Sequence, residues 1–230
     1  MKSGKYNIVI YGASGHGKVI ADMIEKNNGI VCAFADDNSA LWGSRIMGYN
    51  VWAGTKQLIN EFKTGKLFSV VIGIGNNPIR RKIQVELEKE GISFATVIHP
   101  SAQVAREVHI GEGTVVMAGG IINPGSIVGK HCIVNTSVSI DHDCKIGDFV
   151  HISPGAHLGG TVSIGSYTWI GLGASIINNL SIGENTIVGA GAVVIRNVES
   201  GCVVAGNPAG VIKQNTPLPI DIEIKTESEA

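Results

Sequence analysis

The sequence predicts two architectures in series: an α/β domain built on a small parallel sheet, then an all-β parallel β-helix. Three observations predict it. An apolar run from Tyr6 to Tyr11 leads through a glycine-rich turn into a helical pattern. From Ile98 onward an aliphatic residue recurs at every sixth position. The composition suits short strands and tight corners: 31 glycines in 230 residues, 5% aromatics and 16% charged residues, against about 25% charged in ordinary soluble domains.

The first element is the strand Tyr6–Tyr11, followed by Gly12-Ala13-Ser14-Gly15-His16-Gly17-Lys18 and then Val19, Ile20, Met23 and Ile24 at helical spacing. Strand, glycine turn and helix N-terminus together make an anion cradle, because free N–H groups and the helix dipole converge there. Further strands are expected at Ile30–Ala35, ending in Asp36-Asp37, and at Leu67–Ile74, with helices near 55–63 and 78–90. Residues 1–96 therefore read as a Rossmann-like domain whose ligand edge lies at the C-terminal ends of its strands.

Neither sharper phosphate motif is met. A P-loop needs Ser or Thr after its lysine, and Val19 stands there. The dinucleotide fingerprint fails because the glycines fall at 12, 15 and 17. The acidic pair lies near the spacing at which a carboxylate meets a ribose. A nucleotide ligand is thus expected, NAD is not, and a packing turn without a ligand stays open.

From Ile98 to Val194, seventeen positions in steps of six are all Val, Ile or Leu. Six is not a helical period, but it is a multiple of two, so it fits a short strand plus a corner with the aliphatic residue pointing inward. Three such units close one triangular coil, so the seventeen hexads from Ile98 to Glu199 give between five and six coils, within a β-helix domain expected over residues 97–213. Glycine follows the aliphatic residue at eight of these positions, among them Gly111, Gly129, Gly147 and Gly165. After Lys213, QNTPLPIDIEIKTESEA breaks the pattern, and residues 214–230 are expected to form a disordered tail.

Composition excludes several partners. A net charge of −1 offers no basic field for nucleic acid or an anionic membrane. The N-terminal apolar run is too short for a signal peptide or a membrane span, so a cytoplasmic location is expected. Cys32, Cys132, Cys144 and Cys202 form no CxxC pair and read as reduced thiols.

The repeat [LIV]-G-x-x-x-x and the closing Val204-Ala205-Gly206-Asn207-Pro208-Ala209 resemble the hexapeptide-repeat transferases, whose β-helix is left-handed. Together with the GASGHGK turn and the F-x-D-D segment, they resemble the bacterial sugar acetyltransferases of the NeuD/PglD kind over about residues 6–213. That resemblance implies an acetyl-CoA-dependent acetyltransferase, a homotrimer that needs no metal ion. It acts on the 4-amino group of a nucleotide-linked amino-deoxy sugar for bacterial surface glycans. One branch of the family acts instead on sialic acid hydroxyls. It also implies that Ser14, Gly15, His16 and Gly17 face the diphosphate, with Asp36 and Asp37 toward the nucleoside.

Acetyl transfer needs a base for the acceptor's proton and donors for the thioester oxyanion. Asp141-His142-Asp143-Cys144 places a histidine between carboxylates, which can fix its tautomer and raise its basicity. The segment resembles the family's E-H-[DE]-C stretch, with Asp141 replacing the more familiar Glu. By that resemblance His142 is the base and Asp143 its orienting partner, while Asn135, His151 and the Gly160 N–H contact acetyl-CoA. His109, His131 and His157 read as surface or corner residues. Three other classes stay open: an NTPase, a zinc hydratase of the γ-carbonic-anhydrase type and a non-catalytic sugar-nucleotide sensor.

Overall fold

In the computed structural model, which describes residues 7–215, β1 (Asn7–Tyr11), α1 (Gly15–Lys26) and β2 (Ile30–Asp36) form the first βαβ unit. β3 (Arg45–Ile46) and β4 (Tyr49–Ala53) follow, then α2 (Gly54–Lys63), β5 (Ser69–Ile72) and α3 (Asn77–Lys89). The sheet order is β3-β4-β2-β1-β5, parallel throughout except for the β3–β4 hairpin. Sequence reading did not find that hairpin. Its turn, Met47-Gly48, has positive φ at both residues (52° and 85°), the backbone of a two-residue turn that matches strand twist.

One face of the sheet buries Val9, Tyr11, Val70 and Ile72 against Leu58 of α2 and Ile83 and Leu87 of α3. The other buries Ile8, Ile10 and Phe34 together with Ile20, Met23 and Ile24 of α1 and Val115, Met117 and Ile133 of the second half. The two halves therefore share a core, and the first half is packed on one side of the second.

That second half is a left-handed parallel β-helix. Seventeen two-residue strands run from Val97–Ile98 to Val193–Val194, and the inward residue of each is the aliphatic position of the six-residue repeat. Each strand up to Ser175–Ile176 pairs in parallel with the strand eighteen residues on, as Val134 with Ile152 and Ile152 with Ile170. This stacks the strands into three sheets around one prism. The first sheet begins with Val97–Ile98, the second with Gln103–Val104 and the third with His109–Ile110. From Val116 upward the inward residues are buried; Val104, in the open first coil, is 38% exposed. The glycine after the aliphatic residue answers to coil spacing: at Gly147 a Cβ would sit 2.6 Å from the backbone nitrogen of Ser166 in the next coil.

The prism interior is a single apolar column. Ile152 has no exposure at its centre, and truncating such a residue costs about 2–5 kcal/mol. Ile152→Ala should therefore lower the urea midpoint clearly; an unchanged midpoint would mean that the coils collapse around the gap.

The chain closes with a hairpin, Cys202–Gly206 against Ala209–Gln214, and Asn215 N–H donates to Gly201 O at 2.6 Å. Residues 214 and 215 thus belong to the body, which corrects the expected tail boundary: an antiparallel return strand carries no six-residue signal. The remainder of that tail, 216–230, lies outside the described residues. Among those described, no helix is long and apolar enough to cross a membrane, and the four cysteines are free thiols.

Candidate active site

The glycine-rich turn is held from two sides. Gly17 crosses Gly12 so closely that a Cβ on it would lie 2.0 Å from Gly12 O. Asp36 Oδ2 accepts Ala13 N–H at 2.8 Å, and Asp36 Oδ1 accepts Asn38 N–H at 2.8 Å. Asp36 is thereby a brace for the loop. Ser14 and Gly15, at the start of α1, are exposed. Asp37 Oδ1 accepts the Tyr11 hydroxyl at 2.7 Å, and burial with this bond holds the phenol well above its ordinary range. Asp37 also borders a surface hollow of about 720 Å³ lined by Trp42, Thr55, Lys56 and Asn60.

A second group lies on the prism edge between the second and third sheets. His142 and Asp143 are exposed there, His142 Nδ1 lying 2.8 Å from Asp143 Oδ2. Asp141 Oδ1 accepts both the His142 backbone N–H (2.8 Å) and Asn123 Nδ2–H (2.9 Å), which fixes the corner. The bond to Asp143 raises the His142 pKa, helped by the Asp141 charge and opposed by partial desolvation. Gly160, one coil above, leaves the space that the imidazole occupies: a Cβ there would stand 2.6 Å from His142 Nε2. Further along the same edge, Ile177 and Ile195 are 44% and 40% exposed. The result is a basic imidazole at the foot of an open, apolar-sided track.

The third group sits where the first half meets the prism. His151 is buried on the first sheet, stacked on Trp169 with centroids 5.2 Å apart. Its Nδ1 lies 3.2 Å from Gly75 O, in the β5–α3 loop, and its Nε2 lies 3.3 Å from Asn135 Nδ2. A carbonyl only accepts, so Nδ1 carries the proton and Nε2 offers its lone pair to Asn135. Burial, the Arg80 charge and His16 push the His151 pKa down to about 3. His16, in the first turn of α1, is held down to about 4 by burial and Arg80.

The structure thus brings His16 of the GASGHGK loop within electrostatic reach of His151, joins His151 to Asn135, and brings His142, Asp143 and Gly160 together. Within one chain these two groups stand on different prism edges with the second sheet between them. His131 stands on a corner, one of the two expected places, but it is not a surface residue. It is 2% exposed, in an aromatic ladder with Phe149 and Tyr167 (5.1 and 5.4 Å) and edge-on to Phe94 (4.7 Å). His157 is exposed as expected and bonds Ser139 Oγ. Sequence reading missed Arg80 and Asn77, both buried at the junction. The signal was available: Arg80, Ile83, Gln84 and Leu87 recur at i, i+3, i+4 and i+7, which puts Arg80 on the buried stripe of α3. Among the described residues, no cluster of three or more His, Cys, Asp or Glu is arranged to hold a metal ion.

Residues 7–87 match the family model described as the PglD N-terminal domain. The chain is 30% identical over 157 residues to the GDP-perosamine N-acetyltransferase of Escherichia coli, covering 66% of this chain and 70% of that protein. It is 39% identical over 116 residues to the UDP-N-acetylbacillosamine N-acetyltransferase of Bacillus subtilis, covering 49% of this chain and 51% of that one. Among solved structures, the acetyltransferase domain of PglB from Neisseria gonorrhoeae, in complex with acetyl coenzyme A, superposes with a TM-score of 0.84 at 38% identity. The match covers 91% of this chain and 100% of that domain. With the glycine-rich loop, the six-residue repeat and this likeness over most of its length, the chain belongs to the NeuD/PglD-type sugar acetyltransferase family.

Proposed function

We propose that this protein transfers the acetyl group of acetyl-CoA to the 4-amino group of a nucleoside-diphosphate-linked amino-deoxy sugar, a precursor of bacterial surface glycans. The observation that carries the reading is the pairing of the exposed His142–Asp143 couple, set beneath Gly160, with a glycine-loop domain suited to phosphates. The names of the relatives, GDP-perosamine and UDP-N-acetylbacillosamine N-acetyltransferases, support a nucleotide-linked amino sugar as acceptor.

In this reading residues 1–96 hold the sugar nucleotide. Its diphosphate lies over Ser14, Gly15, His16 and Gly17, and its nucleoside lies toward Asp37 and the hollow beside it, with Asp36 bracing the loop. Residues 97–213 carry the chemistry. His142 Nε2 accepts the proton of the amine as its nitrogen bonds to the thioester carbon, while the Gly160 N–H donates to the developing oxyanion. The carbon–sulfur bond then breaks, and the proton passes from His142 to the leaving thiolate. Asp143 holds the imidazole in the Nδ1–H tautomer throughout. Asn135 and His151 orient the acetyl end of acetyl-CoA, and exposed Ile177 and Ile195 suit its pantetheine arm.

Because His142 and the Asn135–His151 pair occupy different edges of one prism, a complete site needs a neighbouring chain. A homotrimer with acetyl-CoA in the groove between prisms meets that need. Dependence on acetyl-CoA and four free thiols fit a cytoplasmic enzyme.

A CoA-release assay tests the reading. With acetyl-CoA, turnover is expected on UDP- or GDP-linked 4-amino-4,6-dideoxy sugars and absent on free or CMP-linked sialic acid. Turnover on sialic acid alone would replace the reading with O-acetylation. Binding of the nucleotide sugar without CoA release would make the protein a sensor.

A further inference from the structure

Arg80 is a full positive charge that is 1% exposed, and all five of its hydrogen bonds go to neutral oxygens. Its Nε donates to His131 O at 2.8 Å, and its Nη2 to Phe149 O at 2.9 Å and Asn77 Oδ1 at 2.8 Å. Its Nη1 donates to Ile74 O at 2.8 Å and Gly75 O at 3.2 Å. Asn77 continues the pattern by donating to Tyr167 O at 2.9 Å. The carbonyls of His131, Phe149 and Tyr167, corner residues of three successive coils, are thus gathered by one turn of α3.

A buried charge without a counter-charge is expensive, so a merely adhesive contact would be better made by apolar side chains. The distinguishing feature is Gly75 O. The same carbonyl accepts from Arg80 Nη1 and from His151 Nδ1, each at 3.2 Å. The guanidinium fork fixes where that oxygen points, and that oxygen fixes which nitrogen of His151 carries the proton.

We propose that Arg80 is a positioning residue that clasps the β5–α3 loop to the β-helix and, through Gly75 O, locks His151 as the Nδ1–H tautomer with Nε2 free toward Asn135. The consequence for the reaction rests on the proposed place of His151 beside the acetyl group. The clasp itself does not. The ionisable groups acting on His151 are Arg80 from α3 and His16 from α1; both oppose a second proton on the ring, so the lock acts on a neutral imidazole.

The test uses the full-length protein labelled with ¹⁵N-histidine, whose ring-nitrogen shifts report each tautomer, the His151 signals being assigned by their loss in His151→Gln. Wild type is expected to show His151 as a single Nδ1–H tautomer; an Nε2–H tautomer there would overturn the proposal at once. In Arg80→Met, and in Arg80→Lys, which keeps the charge but loses the fork, the signals should move to a tautomer mixture. Should the methionine variant not fold, the lysine variant decides. Alongside, kcat/KM for acetyl-CoA should fall by about ten- to a hundredfold, the size expected when a site group shifts by about 1 Å. An unchanged Nδ1–H tautomer in folded variants would refute the clasp. A tautomer change with unaltered acetyl-CoA kinetics would uphold the clasp and remove His151 from the acetyl site.

Discussion

His142→Ala should lower kcat/KM for acetyl transfer by about 10²- to 10⁴-fold, the usual worth of a positioned general base. The change should leave the fold intact, because the side chain stands exposed on a prism corner. Retention of more than about a tenth of wild-type activity would exclude His142 as the base. The pH dependence carries the same information with a sign. A base works only when unprotonated, and Asp143 followed by Asp141 raises the His142 pKa above its ordinary value of about 6.5. Activity should therefore fall as pH drops through that raised value. Asp143→Asn removes the largest cause, so its acid limb should move to lower pH while its maximal rate falls. An acid limb that stayed in place would mean that another group titrates.

Gly160→Ala should abolish most activity while barely changing stability. The added Cβ would lie 2.6 and 2.7 Å from His142 Nε2 and Cε1, so one of the two must move. The three nearest atoms to it all belong to the His142 side chain, an exposed group that can swing into solvent at little cost. The φ of Gly160 is not positive, so alanine brings no backbone strain. The imidazole would leave its place by an ångström or more, a displacement that can cost about 10²-fold in rate. Equal melting temperatures with kcat/KM down by about 10²-fold would support the geometry. Full activity in Gly160→Ala would show that His142 works from some other rotamer.

The β-helix was legible because its period is short and commensurate with strand alternation. Each aliphatic position from Ile98 to Val194 became the inward residue of its strand, and the intervening corners needed no long-range information. His142 with Asp143 was legible for the same reason, since both sit on one corner. The junction was not, because its contacts join residues far apart in the chain. Arg80 reaches His131 and Phe149, 51 and 69 residues away, and nothing local in either segment announces the other. His131 is the corner residue that spacing suggested, but its ring is buried against Phe94 and Phe149. Asp36 drew notice as a nucleoside-facing carboxylate, and spacing gave no sign that it also accepts from Ala13, 23 residues away, and so braces the loop. In each case a tertiary partner, invisible to spacing, chose the role.

The central claim, acetyl transfer to the amine of a nucleotide-linked sugar, is tested most directly by the structure of the product. GDP-linked 4-amino-4,6-dideoxy sugar would be incubated with ¹³C-acetyl-CoA and the enzyme, and the product examined by NMR. The account predicts an amide, with the labelled carbonyl coupled to the proton on the sugar's 4-nitrogen and the GDP linkage intact. A labelled ester on a hydroxyl, or label remaining on CoA while His142 is intact, would contradict it.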